Sequence, residues 1–384
     1  MTDQNGTVQN QIAGIVANWE KDKKVDLVFQ GGGVLGVGLV GAYSVLEQQQ
    51  FKPQNVAGTS AGAIVATLIG AGYTADQVRD VINNLDFKKL TDPTFVTGLP
   101  LVGKLVPMQV LSMLLEQGMY KGDFFLHTMR DLLKDKGITT FGDLKYRGPD
   151  ADKDVYQYRV QVIASDVSGR RLLKLPLDAP DQLGCDADKL EVAEAVRMSM
   201  SIPFFFEPVR WPNPQTHERD YIVDGGMLSN FPVWLFDSQG LPAWPTIGVK
   251  FVDADPRVDL GASISQHVVG GTVDYLKALV ETMTKFHDRL YLDNDAFART
   301  ITVPTQGISS TNFELTADDK GSLFQGGVAA ANDFLTNKWT FAGYMAAFRS
   351  GGPQPTRTQS VKKIMDDAAA RANVAPTPVP ATAP

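Results

Sequence analysis

Short apolar runs alternate along the chain with segments of helical spacing. Val25–Phe29 is an apolar run that ends in glycines, which predicts a buried strand. Gly38–Gln50 predicts a helix, Asn55–Thr59 a short extended segment, and Ala61–Gly70 a buried helix of small apolar residues. Further helices are predicted over Asp76–Leu85, Gly122–Lys136, Glu191–Met200 and Val273–Phe297, and further strands over Tyr156–Ala164, Arg171–Leu175, Tyr221–Val223 and Thr246–Val252. This alternation favours an α/β fold whose parallel or mixed sheet is covered by helices on both faces.

The two ends of the chain differ in composition from its body. Residues 1–22 are polar, and we expect a mobile leader there. Residues 353–384 are rich in Pro, Ala and Thr, a composition that cannot bury a core and predicts a tail. Residues 23–352 are therefore predicted to form the folded domain. Within it, the apolar segment of about 95–119 is interrupted by Gly and Pro, and we interpret it as a cap-like segment.

Composition narrows the class of protein. The chain has 384 residues, of which 43% are hydrophobic and 21% charged, as in ordinary globular proteins. The net charge of −7 argues against a nucleic-acid partner. Cys185 is the only cysteine, so no intramolecular disulfide can form. Because Met1–Glu20 lacks the pattern of a signal peptide and Leu99–Leu115 is too interrupted for a membrane span, we expect a cytoplasmic protein that contacts membranes only transiently and at their surface.

The pentapeptide Gly58-Thr-Ser60-Ala-Gly62 lies where a predicted strand gives way to a helix. A Gly-x-Ser-x-Gly turn at such a junction holds a serine in a strained elbow with its hydroxyl exposed to a site. The helix that follows also directs its N–H groups and the positive end of its dipole at this point. The alternative is a tight glycine turn that contains an incidental serine.

A glycine loop, Gly31-Gly-Gly33-Val-Leu-Gly36, precedes the serine by one strand–helix unit. Backbone N–H groups without side-chain cover can bind an anion, which in an acyl hydrolase is the oxyanion of the tetrahedral intermediate. The same glycines fit the dinucleotide fingerprint, which requires an acidic residue at the end of the next strand. That strand ends in Gly58-Thr59-Ser60 and carries no acid there, which disfavours nucleotide binding. A purely structural glycine turn is the other alternative.

A third motif, Asp224-Gly225-Gly226, directly follows the predicted strand Tyr221–Val223. A carboxylate at the end of a strand, followed by two glycines, can reach a site and accept the proton of a serine hydroxyl. An ordinary Asp-Gly turn explains the same three residues if they are considered alone.

Taken together and in this order, the three motifs resemble those of the patatin-like phospholipases. Ser165-Asp166 before Gly169-Arg170 is similar to a strand–turn–strand segment of that family. The segments Met198–Pro203 and Phe206–Val209 resemble the loop that precedes the family's catalytic aspartate. The resemblance extends from about Val25 to about Val252.

The resemblance implies a three-layer α/β/α fold with a mostly parallel central sheet, and no metal or other cofactor. It implies that Ser60 is the nucleophile and Asp224 its partner in a catalytic dyad, and that Gly31, Gly32 and Gly33 form the oxyanion hole. The implied reaction is hydrolysis of fatty-acyl esters of phospholipids or other lipids through an acyl-enzyme. One departure is Leu35, because many members of the family carry Arg or Lys there.

Two alternatives to this activity stay open at this point. His267 and His287 follow Asp224 in the order Ser…Asp…His, as in the triad of the α/β-hydrolases. A catalytically silent member of the family would bind lipid or a protein partner without cleaving it. The sequence indicates neither the lipid head group nor the oligomeric state.

Overall fold

The computed structural model describes residues 2–85, 120–148, 156–213, 216–237, 240–252, 294–310 and 314–349, together with residues 282 and 312. Three features predicted above fall largely or wholly outside these ranges. They are the cap-like segment of about 95–119, the tail 353–384, and most of the predicted helix Val273–Phe297.

A single mixed sheet connects eight strands of the described residues. The strands are β1 Lys24–Phe29, β2 Lys52–Thr59, β3 Val160–Asp166, β4 Arg171–Leu175, β5 Val209–Pro212, β6 Arg219–Asp224, β7 Thr246–Val252 and β8 Thr300–Pro304. Their order is β5-β6-β3-β2-β1-β7-β8, and β4 pairs with β3 outside this path. The five strands from β3 to β8 in this order run parallel, whereas β4 and β6 run antiparallel to β3 and β5 antiparallel to β6. The prediction of a mostly parallel sheet is therefore confirmed.

Helices connect the strands and cover the sheet. They are α1 Thr2–Asp22, α2 Gly36–Gln48, α3 Ala61–Gly70, α4 Ala75–Asn84, α5 Asp123–Asp135, α6 Val192–Ser199, α7 Asn294–Ala298, α8 Ala317–Asp333 and α9 Phe341–Tyr344. Among the residues described, none of them combines the length and the apolar character that crossing a membrane requires.

The two faces of the sheet bury different apolar side chains, as the alternation along a strand requires. In β1, Leu27 and Phe29 join the larger core, which includes residues of α2, α3 and α6. Val28 points to the opposite face and belongs to a smaller core that also contains Phe231 and Phe236. This arrangement is the three-layer α/β/α fold that the resemblance implied.

The polar segment for which a mobile leader was expected contains a helix that is anchored to the fold near its end. Residues Thr2–Asp22 form α1, and Trp19 near its end is only 6% exposed. The Trp19 indole ring contacts the rings of Phe51, Trp339 and Phe341, and its Nε1 donates a hydrogen bond to Lys24 O at 2.7 Å. A few buried side chains in a polar segment are sufficient to anchor it, and average composition does not reveal them.

Candidate active site

Ser60 occupies a strained turn between β2 and α3. Its backbone has φ 53° and ψ −124°, a conformation that an L-residue rarely adopts. The turn makes Ser60 the residue that caps the N-terminus of α3. This is the elbow that the Gly-x-Ser-x-Gly pattern predicts.

The glycines on either side of Ser60 allow three chain segments to approach one another closely. A methyl group on Gly58 would lie 2.2 Å from Gly62 O, and one on Gly62 would lie 2.2 Å from Phe29 O. Both distances are far shorter than any real contact of a Cβ atom. The elbow can therefore pack against the end of β1 only if both positions are glycine.

Sheet register places Asp224 level with Ser60. Thr59 at the end of β2 pairs with Ile163 of β3, and the next residue of β3, Ala164, pairs with Asp224 of β6. Ser60 follows Thr59 directly. Because β4 pairs with the opposite edge of β3 along Val162–Asp166, Asp224 lies on the same side of β3 as Thr59, in the place that β2 leaves when the chain turns at Ser60. The end of β6 therefore meets the end of β2, which brings Ser60 and Asp224 close together.

The carboxyl group of Asp224 is buried and only partly satisfied by hydrogen bonds. Oδ1 accepts the N–H of Gly226 at 2.7 Å. Oδ2 is buried and, among the described residues, has no hydrogen-bond partner. Burial raises the pKa of Asp224 to about 6, against the smaller lowering effects of the Ser60 hydroxyl and of the Gly226 N–H. The hydroxyl is thus near enough to influence the carboxylate, although the two side chains do not form a hydrogen bond of normal geometry.

The glycine loop lies beside Ser60, and its N–H groups differ in what they bind. Gly31 N–H donates to Asn230 O at 3.0 Å, and Asn230 Nδ2 donates to Gly31 O at 3.1 Å. The N–H groups of Gly32 and Gly33 have no hydrogen-bond partner within the described part of the chain. Two of the three predicted donors are therefore available to an anion, and the third fixes the loop to the segment after Asp224.

Asn230 is a polar residue that no sequence motif singles out. Its side chain and backbone together clamp Gly31, 199 residues away along the chain. The backbone carbonyl of its neighbour Ser229 accepts a hydrogen bond from Thr59 Oγ1 at 3.0 Å, so the same segment also holds the residue before Ser60. No local pattern indicates such long-range partners.

An apolar pocket opens at Ser60. Its empty space of about 540 Å³ includes the open solvent at its mouth. Gly33 and Ser60 lie at its wall, which links the glycine loop to the serine. The remaining lining residues, nearly all apolar, are Val34, Gly36, Ala61, Ile64, Ile82, Leu85, Phe125, Met200, Ile202 and Phe206.

Leu35, where many members of the family have a basic residue, is 3% exposed. The nearby base Arg197 is also buried, and it does not replace that cation at the glycine loop. Its guanidinium group donates to Lys121 O, to Glu207 O and to Ser201 Oγ. Arg197 thereby ties the entry to α5 to the segment that follows Phe206.

The histidines are divided between described and undescribed parts of the chain. His127 and His217 are exposed, and neither lines the pocket at Ser60. His267 and His287, the two candidates for a triad, lie outside the described residues.

Comparison with known proteins identifies the family of the chain. The sequence model described as patatin-like phospholipase matches residues 27–237. The protein YqhO of Bacillus subtilis (strain 168), described as uncharacterised, is 36% identical over 320 residues, which are 83% of this chain and 99% of YqhO. The uncharacterised protein R571 of Acanthamoeba polyphaga mimivirus is 24% identical over 310 residues, 79% of this chain and 91% of R571. Among solved structures, VipD from Legionella pneumophila aligns with a TM-score of 0.49 and 16% identity over 91% of this chain and 74% of VipD.

Proposed function

Because the chain belongs to the patatin-like phospholipase family, we propose that it hydrolyses fatty-acyl esters of phospholipids with Ser60 as nucleophile and Asp224 as its general base. Membership in the family assigns it to the lipid hydrolases. The proposal adds to this assignment the catalytic dyad and the phospholipid as substrate.

One observation carries the proposal. Ser60, held in a strained elbow, lies level with a buried carboxylate whose Oδ2 has no hydrogen-bond partner in the described structure. An ionised carboxylate buried without a full set of partners costs stability, so this arrangement needs a reason beyond packing. A role as general base provides that reason, because a base needs an oxygen that is free to accept a proton.

In the proposed first step, Ser60 Oγ attacks the ester carbonyl carbon while its proton passes to Asp224 Oδ2. The carbonyl oxygen becomes an oxyanion, which the N–H groups of Gly32 and Gly33 stabilise. As the tetrahedral intermediate collapses, the proton goes to the leaving alcohol and the acyl group stays on Ser60. Water then attacks the acyl-enzyme and gives a proton to Asp224, which returns it to Ser60 Oγ as the Oγ–acyl bond breaks and the fatty acid is released.

The pocket at Ser60 supports a long acyl chain as the substrate group. Its wall is formed by apolar side chains such as Ile82, Leu85 and Phe125, which offer an acyl chain contacts but no hydrogen bonds. Phe206 also lines this pocket. Transient contact with a membrane surface stays a prediction.

The test is release of fatty acid from mixed phospholipid vesicles by the wild type, Ser60→Ala and Asp224→Asn. We expect activity in the wild type and background rates for both variants. Asp26→Asn is the matched control, because Asp26 is another buried carboxylate but lies in β1, three residues before its end. A Ser60→Ala variant as active as the wild type would refute the proposal.

Two further measurements separate the alternatives. A fluorophosphonate probe labels only an activated serine, so a folded wild type that fails to react would indicate a silent lipid-binding member. Replacement of His267 or of His287 by Ala should leave the rate within a few-fold of the wild type. Loss of activity in one of them would favour a triad over the dyad.

A further inference from the structure

We propose that Ser199 is a positioning residue that holds the nucleophile in its elbow by completing the hydrogen-bond ladder that β2 leaves at Ser60. The inference rests on the proposed function, since it assigns to Ser199 a role in the reaction of Ser60.

The ladder between β2 and β3 is interrupted at Ser60. Val56, which pairs with Val160, donates its N–H to Arg159 O at 2.7 Å. In a parallel pair such bonds recur every second residue. The bond that would continue this series at the end of β2 joins Ser60 N–H to Ile163 O.

The hydroxyl of Ser199 is inserted at this position. Ser60 N–H donates to Ser199 Oγ at 2.9 Å, and Ser199 Oγ donates to Ile163 O at 2.6 Å. The hydroxyl accepts one hydrogen bond and donates another, so both backbone groups keep a partner although they no longer meet. The chain can then turn away from the sheet at Ser60 and adopt its positive φ without an orphaned buried N–H.

Ser199 is suited to this role by its own surroundings. It is the last residue of α6, and it is fully buried at 0% exposure. Two residues later, Ser201 O accepts the N–H of Asp224 at 2.9 Å. One short segment therefore contacts the backbones of both members of the proposed dyad, the first through a side chain and the second through a carbonyl.

Loss of this hydroxyl would leave Ser60 N–H and Ile163 O buried and unpaired. The backbone at Ser60 would relax toward a commoner conformation, and Oγ would move relative to Asp224 and to the glycine N–H groups. A displacement of about 1 Å at a reacting centre lowers a rate by about 100-fold. Since Ser199 does not line the acyl pocket, substrate binding should change little.

The experiment compares kcat and KM of the wild type, Ser199→Ala, Ser199→Cys and the control Ser44→Ala on a phospholipid substrate. The Cys variant retains the volume of the side chain but is a weak donor and acceptor, so it tests the hydrogen bonds if the Ala variant does not fold. Ser44 is also buried and its hydroxyl donates to Gly41 O at 2.7 Å, but it contacts no residue of the site. We expect kcat to fall about 10- to 100-fold in both Ser199 variants, with KM within about threefold of the wild type, and Ser44→Ala to keep its kcat.

A kcat of the folded Ser199 variants within twofold of the wild type would overturn the inference, and so would an equal loss in Ser44→Ala. If the wild type itself is inactive, the proposed function fails separately. Hydrogen exchange at the Ser60 amide then still tests whether Ser199 holds that amide, because the exchange must accelerate in Ser199→Ala and not in Ser44→Ala. Unchanged protection of that amide would refute the role of Ser199.

Discussion

Replacement of Asp224 by Asn should abolish activity and, above pH 6, make the protein more stable. Burial raises the pKa of this carboxyl from 3.8 to about 6, which means that the folded protein disfavours the ionised form. A shift of this size corresponds to about 3 kcal/mol of stability lost on ionisation. An amide has the same shape, can accept the Gly226 N–H through its oxygen, and carries no charge.

The sign of the effect fixes its dependence on pH. Below about pH 4 the carboxyl is protonated in both the folded and the unfolded state, so the wild type loses nothing relative to Asn. Between about pH 4 and pH 6 the unfolded chain releases the proton first, and the stability of the wild type falls relative to that of the variant. Above pH 6 both states are ionised, and the difference stays constant at about 3 kcal/mol.

Urea unfolding at pH 4.5 and pH 8 measures this difference. We expect the advantage of Asp224→Asn over the wild type to be about 2 kcal/mol larger at pH 8 than at pH 4.5. Asp26→Asn should show the same sign, because burial raises the pKa of Asp26 to about 7, but it should retain activity. An advantage of Asp224→Asn that is equal at the two pH values, or that reverses at pH 8, would refute the burial of an ionisable base at this position.

Three other predictions follow from the site and its supports. The kcat of the wild type should fall about tenfold per pH unit below pH 6, as Asp224 becomes protonated, and a flat profile down to pH 5 would exclude it as the base. Ile82→Phe should lower the ratio of long-chain to short-chain ester hydrolysis about tenfold by shortening the pocket, and an unchanged ratio would separate the pocket from acyl binding. Gly62→Ala should lose activity on esters of every chain length, because the added methyl group would meet Phe29 O. Its control is Gly321→Ala on an open face of α8, which should raise the free energy of unfolding by about 0.5–1 kcal/mol. Equal stability of the two glycine variants in urea would contradict the packing described for Gly62.

The sequence predicts the strands and helices around the site well, because their signals are local. Thr246–Val252 and Ala61–Gly70 have the predicted bounds, and the antiparallel pair of β3 with Arg171–Leu175 is present. Each of these segments is a continuous apolar run or lies beside a glycine turn, so burial and chain reversal are both visible in the residues themselves. Gly137, just beyond the end of α5, has the positive φ of 71° that is common where a helix terminates.

Elements without such signals were not predicted. β5, Val209–Pro212, is a short edge strand with partly exposed residues, and β8, Thr300–Pro304, is only one residue longer. The helix α8 is largely polar or composed of small residues, and it is buried where Gly327 approaches Gly38 O of α2. Such close contact between helices depends on a partner far away along the chain, which no local pattern reveals.

The candidate reactive residues have local sequence signals, whereas the residues that position them do not. The motifs around Ser60 and Asp224 are visible because glycines must surround a side chain that protrudes into a site. Ser199 and Asn230 have no such environment, since each acts on a residue more than 130 positions away. Their roles arise only when the sheet brings distant segments together.

The directions of the strands explain how a carboxylate from the second half of the chain comes to lie beside Ser60. β4 pairs with one edge of β3, and the other edge pairs with β2 in the parallel direction up to Ile163 and with β6 in the antiparallel direction from Ala164 onward. β2 and β6 therefore run toward each other along the same edge of β3, and their C-terminal ends meet. Because β6 runs in the opposite direction, Asp224 ends its strand beside Ala164, and the chain continues through Gly225, whose added methyl group would lie 2.2 Å from Ile163 O. That carbonyl also accepts the Ser199 hydroxyl, so the reversal of one strand brings nucleophile, carboxylate and positioning residue around a single peptide group of β3.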